Sequence, residues 1–122
     1  MGAAVLAAGG KVFPGCNVEN AAYPLCLCAE RVALFSGVAA GQRTFRAVAV
    51  ATHSSPPASP CGSCRQVMHE LGPDMTVLLC NHQGEVEETT VAALLPRAFG
   101  SDELTSRPAV RRTRPGARPG AR

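Results

Sequence analysis

The chain has 122 residues, 46% hydrophobic and 4% aromatic, which fits a single domain whose core is built from Ala, Val and Leu. Six of its twelve basic residues fall within 107–122, so residues 1–106 hold six basic against nine acidic groups, a net of −3 beneath the formal +3. A body of that sign argues against a phosphate-backbone docking surface, and no run approaches the ~20 apolar residues that span a bilayer.

Residues 2–8 and 11–18 read as two extended runs joined by Gly9-Gly10, a dipeptide that tolerates the positive φ of a tight hairpin. The apolar opening lacks a basic leader, so no secretory signal is expected. Pro14-Gly15 interrupts the second run and suits an edge or a bulge. Asn17-Val18-Glu19-Asn20 then leaves the strand with polar groups. Pro24 fits the first turn of a helix, and residues 25–40 read as that helix. Leu27, Val32, Ala33, Leu34, Phe35 and Val38 give it a broad apolar face, and Gly41 a stop.

Residues 45–51 form a short apolar run that suits a buried strand, and residues 54–60 a Ser/Pro-rich loop. A second helix is predicted over 61–71, ended by Gly72-Pro73. A further buried strand follows over 75–80, then a turn over 81–84 and a short strand over 85–88. Thr90 can cap a last helix through Leu95. Helices alternating with buried strands imply an α/β domain around a mixed sheet of about five strands. That domain is expected over residues 1–104. Residues 105–122 alternate Arg with Pro, Gly and Ala and are expected to be a disordered, solvated tail.

The chemistry concentrates in Cys28-Ala29-Glu30-Arg31 and Pro60-Cys61-Gly62-Ser63-Cys64-Arg65. Cys61 and Cys64 are three apart, which on a helix places both on one face. Cys28 lies near a predicted helix start, and helix N-termini favour the thiolate. Cys28, Cys61 and Cys64 together can hold one Zn²⁺ and leave its fourth tetrahedral position open, the arrangement of a catalytic centre. Three thiolates overcompensate the cation, so hydrogen bonds from one or both of Arg31 and Arg65 to the ligand sulfurs are expected. Glu30, two residues after the first ligand, is placed to move a proton of water at that open position. The zinc base deaminases share this pattern of a first ligand, a glutamate and Pro-Cys-x-x-Cys.

Six cysteines without a secretion signal indicate thiols in a reducing, cytoplasmic compartment rather than disulfides. Cys16 and Cys80 read as small core residues. Cys26 opens a rival reading, a zinc-stapled interaction module with four thiolates and no catalysis, although neighbours two apart on a helix face different ways. His53, His69 and His82 have no mutual metal-ligand spacing.

The order of four motifs resembles the small homotetrameric cytidine deaminases of pyrimidine salvage. They are Gly15-Cys16-Asn17-Val18-Glu19-Asn20-Ala21-Ala22-Tyr23, Cys28-Ala29-Glu30-Arg31, Ser59-Pro60-Cys61-Gly62-Ser63-Cys64-Arg65-Gln66-Val67 and Leu94-Leu95-Pro96-Arg97-Ala98-Phe99-Gly100. The resemblance implies a three-layer α/β/α fold and hydrolytic deamination of cytidine and 2′-deoxycytidine, with zinc on the three cysteines and Glu30 as proton shuttle. It implies that Asn17 and Glu19 hold a ribose hydroxyl and that the backbone at Ala29 helps bind the base. It matches Ala21, Tyr23 and Phe99 to positions that approach a neighbouring subunit's active site, so the homotetramer shares its sites. A deaminase of a modified cytosine nucleoside, or an inactive fragment, is the alternative within that resemblance. The family carries a helix and an aromatic base-packing residue upstream of Met1, which implies a start upstream of this one. Arg97 stands where the family usually has glycine.

Overall fold

A computed structural model describes residues 1–105. The expected tail beyond them lies outside the described residues, and the expected boundary at Leu104 falls inside a short helix, Asp102–Thr105. The sheet comprises β1 (Gly2–Ala7), β2 (Val12–Cys16), β3 (Phe45–Thr52), β4 (Thr76–Asn81) and β5 (Val86–Thr90), in the order β2-β1-β3-β4-β5. Among these strands only the β3–β4 pair is parallel; the other pairs are antiparallel, so the sheet is mixed, as expected.

Among the described residues four α-helices accompany it: α1 (Ala29–Ala39), α2 (Gly62–Leu71), α3 (Val91–Leu94) and α4 (Asp102–Thr105). Alternation along the strands divides the sheet into two faces. Val5, Val48 and Val77 stand in register on one face and are fully buried. They join Leu34 of α1 and Cys64 and Met68 of α2 in one hydrophobic core. Both long helices therefore lie on the same side and supply one helical layer of the expected sandwich. The opposite face carries a shallow apolar groove lined by Ala4, Leu6, Val12, Ala47, Ala49 and Leu78.

Three local differences from the sequence expectations have physical causes. The β1–β2 connection is a turn in which Ala7 accepts from the Gly10 N–H, and of the two glycines only Gly10 takes positive φ. Pro24 opens a 3₁₀ turn, Tyr23–Leu25, rather than a long helix. The chain is then pulled extended again by a two-way backbone bridge between Val18 and Leu27 (2.9 Å each way), so α1 starts only at Ala29. Cys16 is exposed rather than a core residue, because it ends the edge strand β2 on the side turned from α1. Thr90 caps α3 as predicted, its Oγ1 accepting from the Ala93 N–H.

Gly15 sets the distance between β2 and the start of α1. A Cβ there would lie 2.5 Å from the Ala33 nitrogen and closer still to the Ala29 carbonyl oxygen. Both obstructing atoms are backbone and cannot rotate aside. Gly15→Ala is therefore expected to destabilise the fold by roughly 1–3 kcal/mol, the usual cost of overpacking, and to displace the first turn of α1. A lowered urea midpoint together with reduced metal uptake checks this; an unchanged midpoint refutes it.

Candidate metal centre

The late start of α1 makes Cys28 its N-cap residue, and Cys61 is likewise the N-cap of α2. Both have extended backbone, and neither thiol closes a capping hydrogen bond. A thiol at an N-cap faces the positive end of the helix, where an anion is favoured. Cys64 stands one turn into α2 and is fully buried. Strands β2 and β3 both run antiparallel to β1, so they finish at the same end of the sheet, and the helices that follow them start there. The Sγ atoms of Cys28, Cys61 and Cys64 all lie within 4.8 Å of one another, and those of Cys28 and Cys61 are 3.8 Å apart. Among the described residues this is the one group of three or more such side chains that can hold a metal ion.

The thiols are not equivalent. Burial pushes Cys64 far up, and the nearby charge of Glu30 pushes it further. Partial desolvation raises Cys61 as well, but the N–H dipoles of Cys64 and Ser63 and hydrogen bonds within the cluster bring it below its ordinary value. A cation at the centre relieves the penalty at Cys64 by pairing the charge that burial disfavours.

Glu30 follows on the second residue of α1 and is 1% exposed. Its Oε1 is buried and has no hydrogen-bond partner among the described residues, and the same holds for the Arg31 Nε. An uncompensated buried carboxylate oxygen is costly. Beside three convergent sulfurs, it fits a metal centre with a polar species next to it. The donor set and this orphaned acceptor together suit zinc with one open position.

Arg31 donates from Nη2 to the Cys28 Sγ at 3.6 Å, a contact that raises the guanidinium's pKa further. Of the two arginines Arg31 is the one bonded to a sulfur, and Arg65 is bonded elsewhere. Its Nε donates to the Pro60 carbonyl (2.7 Å), its Nη2 to the Ser59 Oγ (2.6 Å) and its Nη1 to the Leu94 carbonyl (2.8 Å). The side chain folds back along the loop before Cys61, away from the cluster's sulfurs.

Asn17 and Glu19 are both exposed on the segment leaving β2. The Val18–Leu27 bridge brings Asn17 to the start of α1, where its Oδ1 accepts from the Ala29 N–H at 2.9 Å. Two groups expected to contact different parts of a ligand thus meet each other. Tyr23 is 83% exposed on the 3₁₀ turn and Phe99 is 57% exposed; Ala21 is exposed as well, two residues before Tyr23. The Phe99 carbonyl accepts from the Gln66 Nε2 at 2.7 Å, which ties the C-terminal motif to α2. Cys26 is engaged elsewhere: its sulfur accepts from the Asn20 N–H (3.2 Å) and donates to the Asn20 carbonyl (3.4 Å). That removes the fourth thiolate which the interaction-module reading requires.

Sequence reasoning missed Ser59, Leu94 and the close approach at Gly15. A glycine inside a strand was the available signal for the last, since it often marks a backbone contact.

Residues 1–80 match the family described as the cytidine and deoxycytidylate deaminase zinc-binding region, a span that contains all three cysteines and Glu30. A cytidine deaminase of Sporosarcina psychrophila is 50% identical over 106 residues, covering 86% of this chain and 78% of that protein. This chain belongs to the cytidine deaminase family. The crystal structure of a cytidine deaminase from Burkholderia pseudomallei is 57% identical, with a TM-score of 0.78 over 80% of each chain. A blasticidin-S deaminase of Bacillus cereus is 30% identical over 107 residues, covering 81% of this chain and 76% of that one. Family membership places the Cys28, Cys61 and Cys64 cluster within a zinc-binding deaminase region.

Proposed function

We propose that this cytidine deaminase family member hydrolytically deaminates cytidine and 2′-deoxycytidine, releasing ammonia, with one zinc per chain held by Cys28, Cys61 and Cys64. The observation that carries the reading is the meeting of three thiols at two helix starts beside a buried carboxylate whose Oε1 lacks a partner. Bound zinc supplies Lewis acidity toward water. Glu30 would take one proton from the attacking water at its free Oε1 and deliver it to the pyrimidine ring nitrogen, where it stays. It would then take the second proton, from the oxygen now bonded to the ring carbon, and deliver it to the amine, which leaves as ammonia when the C–N bond breaks. Its burial keeps bulk water from competing for the proton. Arg31 offsets the excess negative charge on Cys28.

Asn17 and Glu19 grip a ribose hydroxyl, Asn17 through the Nδ2 that its bond to Ala29 leaves available. The Ala29 N–H meets the base by sharing that bond. The exposed Tyr23 and Phe99, with Ala21, support a homotetramer in which each site borrows groups from a neighbour. Six free thiols support a cytoplasmic role in pyrimidine salvage. Among the described residues no helix is long and apolar enough to cross a membrane. The likeness to a blasticidin-S deaminase favours a second substrate reading, a modified cytosine nucleoside.

The test is the fall in cytidine absorbance with matching ammonia release by the zinc-loaded chain, run beside 2′-deoxycytidine and blasticidin S. Turnover of cytidine is expected. A chain that holds one zinc and turns over none of the three overturns the proposal, and turnover of blasticidin S alone replaces it with the second reading.

A further inference from the structure

We propose that Arg65 is a positioning residue for the metal centre, a clasp that holds Cys61 in place and slows loss of zinc. The inference rests on the zinc reading above. The three sulfurs are unequally supported by packing: Cys64 is fully buried, Cys28 half-buried and Cys61 exposed. Cys61 also follows an irregular segment that includes Pro56, Pro57 and Pro60. A proline has no N–H to anchor it, and the regular ladder of α2 begins only after Cys61, with the Arg65 N–H donating to the Cys61 carbonyl at 3.0 Å.

Pro57 and Pro60 are buried and the Ala58 N–H donates to the Thr52 Oγ1, and the Arg65 side chain adds polar support at the residues next to the ligand. Its Nε bond to the Pro60 carbonyl holds the peptide plane that leads into Cys61, and so fixes the direction in which the Cys61 sulfur leaves the chain. Its Nη2 bond holds Ser59 one residue earlier. Its Nη1 bond to the Leu94 carbonyl ties this frame to the end of α3 rather than to the loop alone. Three donors of one planar fork thus converge on three acceptors from two separate segments, which a lysine ammonium cannot reproduce in one geometry. The other end of the same loop is held independently: Asn81 donates to the Ser54 carbonyl at 2.9 Å, and Ser55 donates to Glu85. Arg65 therefore governs the end of the loop that carries the ligand.

The experiment follows zinc transfer from the loaded 122-residue chain to a chromogenic chelator. Arg65→Ala is expected to release zinc roughly 10- to 100-fold faster than the unmodified chain, the range by which losing a ligand-orienting partner weakens metal affinity, carried here by the release rate. Arg65→Lys and Ser59→Ala are expected to give smaller increases. Arg46→Ala, on an exposed part of β3, serves as the control and keeps the unmodified rate. A purely structural role would lower the unfolding midpoint of the metal-free chain without changing the release rate. Release at the unmodified rate from Arg65→Ala overturns the proposal. If that variant does not fold, unchanged release from both Arg65→Lys and Ser59→Ala overturns it equally. An unmodified chain that retains no zinc sinks the reading beneath; retained zinc with unaltered release sinks this inference alone.

Discussion

Glu30→Gln is expected to cut ammonia release from cytidine by about 10²- to 10⁴-fold, the contribution of a positioned acid–base group, while zinc content stays at one per chain. The substitution is nearly isosteric, so the 1% exposed site keeps its packing. What changes is the chemistry at one atom: an amide cannot accept and return a proton near neutral pH, whereas the unpartnered Oε1 can. The replacement also removes a buried negative charge beside Cys64, whose thiol that charge destabilises in its ionised form. The variant should therefore hold its metal at least as well as the unmodified chain. Metal analysis beside a single-turnover absorbance assay separates the two effects. Near-normal turnover would remove Glu30 from the chemistry, and loss of zinc would recast it as a structural support.

Cys64→Ala should abolish stoichiometric zinc binding and with it all turnover above background. Of the three sulfurs, this one is fully buried in the core, so no water can take its place without opening the packing between α1 and α2. Two sulfurs remain, and neither Cys26, held by Asn20, nor Cys80, which donates to the Val50 carbonyl at 3.3 Å, stands ready to replace it. Bound metal stabilises the folded chain according to how far its concentration exceeds the dissociation constant, about 4 kcal/mol at a thousandfold excess. Thermal unfolding with and without chelator should accordingly show a large difference for the unmodified chain and none for the variant. The metal-free forms should differ only by the cost of deleting one buried sulfur, about 1 kcal/mol as for a buried methylene, well below the zinc-dependent difference. A variant that still gains stability from zinc would place the metal elsewhere.

Much of this was legible in the residues. Cys28-Ala29-Glu30 and Pro60-Cys61-Gly62-Ser63-Cys64 announce the donor set because ligand spacing is local. The strands β1, β3 and β4 are legible because a short apolar run between turn residues has few other uses. The start of α1 was not, because a bridge between Val18 and Leu27, distant neighbours in the chain, overrides the helical preference of residues 25–28. The role of Arg65 was hidden for a related reason. Adjacency to Cys64 suggests a sulfur contact, but on a helix the next residue points about 100° away, and the guanidinium finds carbonyls of the loop and of α3 instead. The Asn17–Ala29 bond likewise depends on how the intervening segment folds back. Local chemistry was readable; the partners that orient it come from elsewhere in the chain.

Cys28 and Cys61 sit on opposite sides of β3 in the chain, which gives that strand a function beyond joining the two helices. In the folded chain β3 lies between β1 and β4, and that placement is what brings the two helix starts, and with them the three sulfurs, to one point. The geometry of this trio exists only with the crossover in its native place, so a tightly seated ion reports that the middle of the molecule is correctly laid down.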